Sequence, residues 1–480
     1  MGRMTTSAEA TERPAGGFDA PAAGRSAGQR RPSRALGVLL AAVLIAGATY
    51  LAPAIHDAIV GSTPPPPREL LAVPGQATTP DGRLPLADRI AFWTQRIAEQ
   101  PSDYLSMLHL AAAWTEQGRL RLDLDAYARA LDAAERALAI APAYPPGLGV
   151  RASIRFATHD FAGAEADARA AVAGDPGDPI ALAVLGDSLI ELGRINEGAA
   201  VYDQLAAVAG GPALDIRRAR VAYVSGEPAE ALGLARKALQ GASGGGPDGA
   251  VVTGPAELAF YHFALGEYAR LAGDEATART SFESALALRG DDLASRIGLA
   301  RVNAAAGRLD AAIANLEAAA AIAPLPEVEA LLGDLHAARG DADAASAAYE
   351  TVRLTAQLSA LAGAVYDRAL IAFELDHGGA SEAMLARARA ALVARPDAVS
   401  HDVVAWALHR LGRDDEAWVA SQTARAGGIV DGRILFHAGA IAIGRGDEAG
   451  GQALIRQALD LGPALDPADR AEATALLAAV

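Results

Sequence analysis

Nine histidines are the residues of this 480-residue chain best suited to proton transfer or metal binding, at positions 56, 109, 159, 262, 336, 377, 401, 409 and 437. A zinc-hydrolase helix needs two imidazoles one turn apart with a Glu beside the first, so that both nitrogens reach one ion. That spacing does not occur in the sequence. His401 and His409 share a stretch with Asp402, but eight helical steps leave them about 80° apart around the axis. A surface or groove histidine is the reading this favours. The absence of cysteine excludes disulfides, thiolate zinc sites, Fe–S clusters and a lipoprotein anchor Cys. The run at 241–254, GASGGGPDGAVVTG, shares only its glycines with a phosphate loop, since no Lys-Ser/Thr follows and no strand precedes it. It reads as a flexible insertion. Neither a Gly-x-Ser-x-Gly elbow nor a kinase signature is present. The sequence therefore predicts no enzyme, no metal and no cofactor.

What positions these residues is a repeat. Leu182, Leu185-Gly186, Leu189, Gly193, Gly198, Tyr202 and Leu205 stand at offsets that return at Leu299-Ala300, Gly307, Ala312, Leu316, Ala319 and Pro324. They return again at Leu332-Gly333, Gly340, Ala345, Tyr349 and Val352. Predicted turns fall at Gly118, His159, Gly193, Gly226, Gly273, Gly307, Gly340, Gly379, Gly412 and Gly446, about ten units. Glycine dominates because the chain must leave the first helix of each unit left-handed; His159, followed by Asp160, is the exception. Ala278, Ala285, Ala312, Ala319 and Ala345 let helices approach, and Tyr202, Phe282, Leu316 and Ile455 fill the space between them.

A period near 34 with small residues at the crossings and Pro at the end resembles the tetratricopeptide repeat. The resemblance implies an all-α fold, a tetratricopeptide-type α-solenoid superhelix in which helix-turn-helix units stack on their neighbours. Because coupling runs mainly between neighbours, damage to one unit is expected to stay local. The stretch HDVVAWALHRLGRDDEAWVASQTARAGG, and Leu435-Phe436-His437-Ala438-Gly439 after it, is similar to the ends of bacterial exported or membrane-anchored proteins of this kind.

The flanks suggest where the array resides. Residues 1–34 carry six Arg against three acids and have no apolar periodicity, and 35–55 is an uncharged run. At about 1.5 Å per residue, 35–55 is long enough to cross a bilayer as one transmembrane helix preceding the solenoid. Arg25, Arg30, Arg31 and Arg34 predict a disordered cytoplasmic tail at 1–34 and an extracytoplasmic array in the cell membrane. The rival is a secreted protein cleaved after a signal peptide, given Ala46-Gly47-Ala48 and Ala52-Pro53-Ala54. A Pro-rich linker at 56–84 contains Pro64 to Pro67, an extended stalk. A capping helix is expected at 85–101 on Leu86, Ile90, Trp93 and Ile97, about ten repeats at 102–466, and a C-terminal capping helix at 467–480 with Asp466 as N-cap. The net charge of −16 argues against nucleic acid as a partner.

In the resembling family the first helix of each unit lines the concave groove at set motif positions. Carried onto this sequence, those positions give the candidate partner-binding residues Arg220, Tyr223, Phe260, Phe263, Arg301, Phe373 and Trp406, with Arg270, Asp376, Asp402 and Tyr366 among their neighbours. Aromatic and Arg residues there suit a protein or peptide partner. The chaperone-tail clamp of some members needs groove Lys residues, and the only Lys here is Lys237. The implied function is a membrane-anchored protein-interaction scaffold; the alternative is a groove-based receptor or accessory subunit for a small molecule or polymer.

Overall fold

Each unit of the chain begins where a carboxylate or a proline can start a helix. Asp178 accepts from the amides of Ile180 and Ala181, Asp292 from Ser295, and Asp397 from Ser400. Second helices start the same way on Asp160, Asp274 and Asp447, because the first amides of a helix have no partner within it. The computed structural model describes residues 85–121, 123–244, 254–361 and 368–479. Among them are only helices, and from Tyr104 to Asp460 they form ten successive pairs. The protein is an all-α helical solenoid.

The pairs pack as the small-residue pattern predicts. Ala278, Ala285, Ala312 and Ala319 are fully buried, as are Phe282, Leu316 and Ile455. Gly186 lies under the ring of Tyr202 so closely that a Cβ there would stand 2.3 Å from it. The predicted turn glycines from Gly193 to Gly446 all have positive φ, and so does His159, at 63°. Gly118 does not belong with them. The helix Tyr104–Arg121 runs through it, and the next begins at Leu124. The extra charged residues after Gly118 thus lengthen the helix, and the glycine leaves room for the ring of Tyr127, 2.8 Å from where its Cβ would be.

The N-terminal helix Leu86–Glu99 buries Ile90, Trp93 and Ile97 against the first pair, with Trp93 stacked on His109 at 4.5 Å. The tail at 1–34, the apolar run at 35–55, the Pro-rich stretch up to 84, most of the 241–254 insertion and Tyr366 lie outside the described residues. No described helix is long and apolar enough to cross a membrane.

The array closes on itself. The turn at Gly193 meets the carbonyl of Pro396, the turn at Gly226 that of Gly428, and the turn at Gly273 that of Leu461. Each contact joins an inter-helix turn to the linker six units further along. Two arms of the superhelix therefore stand rung against rung. Polar bonds reinforce the seam: the Tyr223 hydroxyl donates to Asp431 at 2.8 Å, Arg395 pairs with Glu191, and the Arg395 guanidinium lies 5.0 Å above the Phe161 ring.

Candidate functional site

The first helices of the units carry the candidate partner-binding residues, and the closure of the arms decides what each can touch. Trp406 is 1% exposed, its indole N–H donating to Asp376 at 2.7 Å and its ring stacked on His437 at 3.9 Å. Phe373 is buried against Tyr349 and His377, and Phe263 against Phe282. Tyr223 is buried in the seam between the arms. These four predicted groove residues are core. Trp406, Phe373 and Phe263 are covered by residues of their own and neighbouring units, and Tyr223 alone is covered from the other arm. Phe260, Arg220 and Arg301 are half-buried and remain reachable. Arg220 stands 3.7 Å from Glu191, and Arg301 bonds both Asp466 and Glu327 at 2.8 Å.

Behind them lies a buried polar cluster. His437 Nδ1 is 2.8 Å from Asp402 Oδ2, and Arg433 aims its Nε–H at His437 Nε2 across 3.4 Å. With Nε2 accepting, Nδ1–H donates to Asp402, which orients both groups. Arg433 also pairs with Asp376 and lies 3.7 Å from Asp469. Burial pushes the Asp469 carboxyl up to about 7, against the opposing pull of Arg433. Burial also acts to raise Asp466, but the Arg301 guanidinium outweighs it and holds this carboxyl below its ordinary range. No nucleophile is placed beside the His437–Asp402 pair by any bond described, and none of the described residues form a group of three or more metal-ligating side chains. The cluster is a network of charged and hydrogen-bonded groups.

Two further buried pairs tie neighbouring units. Asp187 accepts from Arg217 and from the Tyr202 hydroxyl, at 3.0 and 2.6 Å. Asp397 accepts from Arg368 at 2.7 Å. Burial alone would raise the Asp397 carboxyl, yet Arg368 and Arg395 bring it down to about 2.

The groove reading of the sequence did not single out Asp466, Asp469, Arg433 or His437. Asp466 was expected only as an N-cap, but its carboxylate is spent on Arg301. His437 stood in the stretch Leu435-Phe436-His437-Ala438-Gly439, which was the one signal pointing to it.

Residues 269–335 match the family model described as the tetratricopeptide repeat. That segment carries tetratricopeptide repeats. Among solved structures, human IFIT1 as a dimer with PPP-AAAA is 17% identical, with 68% of this chain and 73% of that chain covered at a TM-score of 0.46. PilW, described as a type IV pilus biogenesis factor, is 19% identical over 45% of this chain and 92% of its own, at a TM-score of 0.36. YrrB, described as a tetratricopeptide protein with an unusual peptide-binding site, is 16% identical over 41% and 97%, at 0.28. Nothing about function follows from likenesses at these identities and scores. No curated protein matches the chain by sequence. On the first helices, Arg220, Phe260, Arg301 and Arg433 remain partly exposed, whereas Arg270 is buried.

Proposed function

We propose that the protein is an interaction scaffold without catalytic activity of its own, anchored through residues 35–55 and presenting its repeats outside the cytoplasm to a protein or peptide partner. The observation that carries this reading is the arginine row. Arg220, Arg270, Arg301 and Arg433 stand on four first helices, each paired with a carboxylate. A planar guanidinium grips carboxylates in defined directions, so a row of them suits a peptide bearing several carboxylates better than a single small ligand. The alternative, a receptor for a small molecule or polymer, relied on stacking rings, and four of those rings are buried. The acidic balance of the chain weighs against a nucleic-acid partner.

The test is chemical crosslinking in intact membranes, comparing the native chain with the Arg220→Ala/Phe260→Ala variant at matched helix content. The scaffold reading expects specific crosslinked bands that weaken at least several-fold in the variant. Bands that persist unchanged would contradict the assignment of the inner side. Reporter fusions placed after Pro85 test the anchor: activity of a cytoplasm-only reporter there would overturn the orientation, and a mature form beginning near Thr49 or Ile55 would favour cleavage.

A further inference from the structure

The last helix, Pro467–Ala479, buries only Asp469 and Ala473, with Leu476 and Leu477 half-covered. The helix before it, Glu448–Asp460, the second of its pair and of the same length, buries three residues, and the first helix Gly432–Gly444 buries ten. Apolar area is what holds a helix to an array, at about 25 cal/mol per Å², so this one is held less by packing than a first helix is. Besides its neighbour Glu448–Asp460, it lies against the first helices Leu293–Ala305, Pro326–Arg339 and Gly432–Gly444, and the short turn 462–464 before it lies against Pro255–Leu271 and Leu293–Ala305.

What holds it is charge at a regular spacing. Arg270 donates to the Pro463 carbonyl at 3.0 Å, and Arg301 to Asp466 at 2.8 Å. Arg433 stands 3.7 Å from Asp469, and Arg410 donates to Glu472 at 3.1 Å. The four acceptors stand at every third residue of the sequence; Pro463 and Asp466 precede the helix, and Asp469 and Glu472 share one side of it. The four arginines come from four different first helices and both arms. A segment with little apolar burial that relies on charge-assisted bonds is among the easiest to open locally.

We propose that these four arginines form a binding site for an acidic helical peptide, and that the chain's own residues 463–479 are its resident occupant, displaced when a partner presents carboxylates at the same spacing. This rests on the scaffold reading and names the partner's chemistry. The resident helix acts as a competitor: any partner must exceed its local affinity, and freeing it raises the apparent affinity of the site by the reciprocal of the fraction of time the site had been free.

The test uses the full chain and a labelled synthetic peptide of residues 462–480 as probe. In the Asp466→Arg/Glu472→Arg variant, two of the four contacts become repulsive while the arginines stay intact. Hydrogen exchange should show protection lost over 467–479 and kept over 85–460, and the variant should bind the probe at least ten-fold more tightly than the native chain. A control peptide with Asp466, Asp469 and Glu472 neutralised should bind at least ten-fold more weakly, and adding Arg301→Ala to the variant should weaken probe binding. Retained protection of the last helix, loss of protection throughout the array, or equal binding by both peptides would each overturn the proposal. If it falls while the membrane crosslinks still depend on Arg220 and Phe260, the scaffold reading survives without it.

Discussion

Gly226 faces the carbonyl of Gly428 across the seam so closely that a Cβ on Gly226 would lie 2.1 Å from that oxygen. The two residues belong to units six apart in the array. An open solenoid couples each repeat to its neighbours alone, whereas here the turns of one arm rest on the linkers of the other. Closure also buries Tyr223 and gives the last helix partners on both arms.

Closure can be separated from local turn strain by comparing two glycines. Gly226 and Gly307 both have positive φ, at 85° and 74°, but only Gly226 has a neighbour where its Cβ would be. Gly307→Ala should cost the left-handed penalty, about 1–2 kcal/mol. Gly226→Ala should cost about 1–3 kcal/mol beyond that, from forced separation of the arms. Urea unfolding measures both, and equal costs would mean that the arms do not touch in solution.

Burial predicts a division among the seven candidate partner-binding residues. Trp406→Ala, Phe373→Ala and Phe263→Ala should each destabilise the protein by about 3–5 kcal/mol, because each empties a packed site. For Trp406 the loss includes the bond to Asp376. Phe260→Ala and Arg220→Ala should cost far less stability while still weakening partner crosslinking. Melting curves of the five variants decide it, and a Trp406→Ala protein of native stability would contradict the burial described here.

Asp469 gives the last helix a pH dependence with a definite sign. Its carboxyl, raised to about 7 by burial, is faced by Arg433, His437, Asp376 and Asp466. Between its ordinary value of 3.8 and about 7, the folded chain holds this proton more tightly than the unfolded chain does. Its contribution to stability therefore falls as pH rises through that window. Asp466, held low by Arg301, has the opposite sign and acts below its ordinary range. The difference in urea midpoint between the native chain and Asp469→Asn should shift in favour of Asn as pH goes from 4.5 to 7.5. A difference that stays constant would mean that Asp469 is ionised throughout.

Local features of this fold were legible because local sequence encodes them. A left-handed turn needs a residue that tolerates it, and both the glycines and His159 at the predicted turns have positive φ. Gly118 misled because its small size serves a close approach to Tyr127 rather than a turn. Burial of Tyr223 and Trp406 was not legible, since motif position says which side of a helix a residue occupies and nothing about what later covers that side. Asp466 shows the same limit. Its place before Pro467 reads as a cap, and only the folded seam brings Arg301, 165 residues away, to its carboxylate.

Closure of the two arms underlies the burial of Tyr223, the contacts of Arg270 and Arg301 and the seating of the last helix, and a single cysteine pair tests it. The chain contains no cysteine, so Ser225→Cys and Gly427→Cys introduce the only thiols. Both positions are exposed, and a Cβ on Gly427 would lie 3.7 Å from the carbonyl of Val224, next to Ser225. A disulfide needs Cα atoms about 4.4–6.8 Å apart. Mild oxidation of the monomer should join the pair within the chain, faster than a Ser225→Cys/Gly412→Cys control and without loss of helix content. Intrachain bonding no faster than in the control would contradict the closed array.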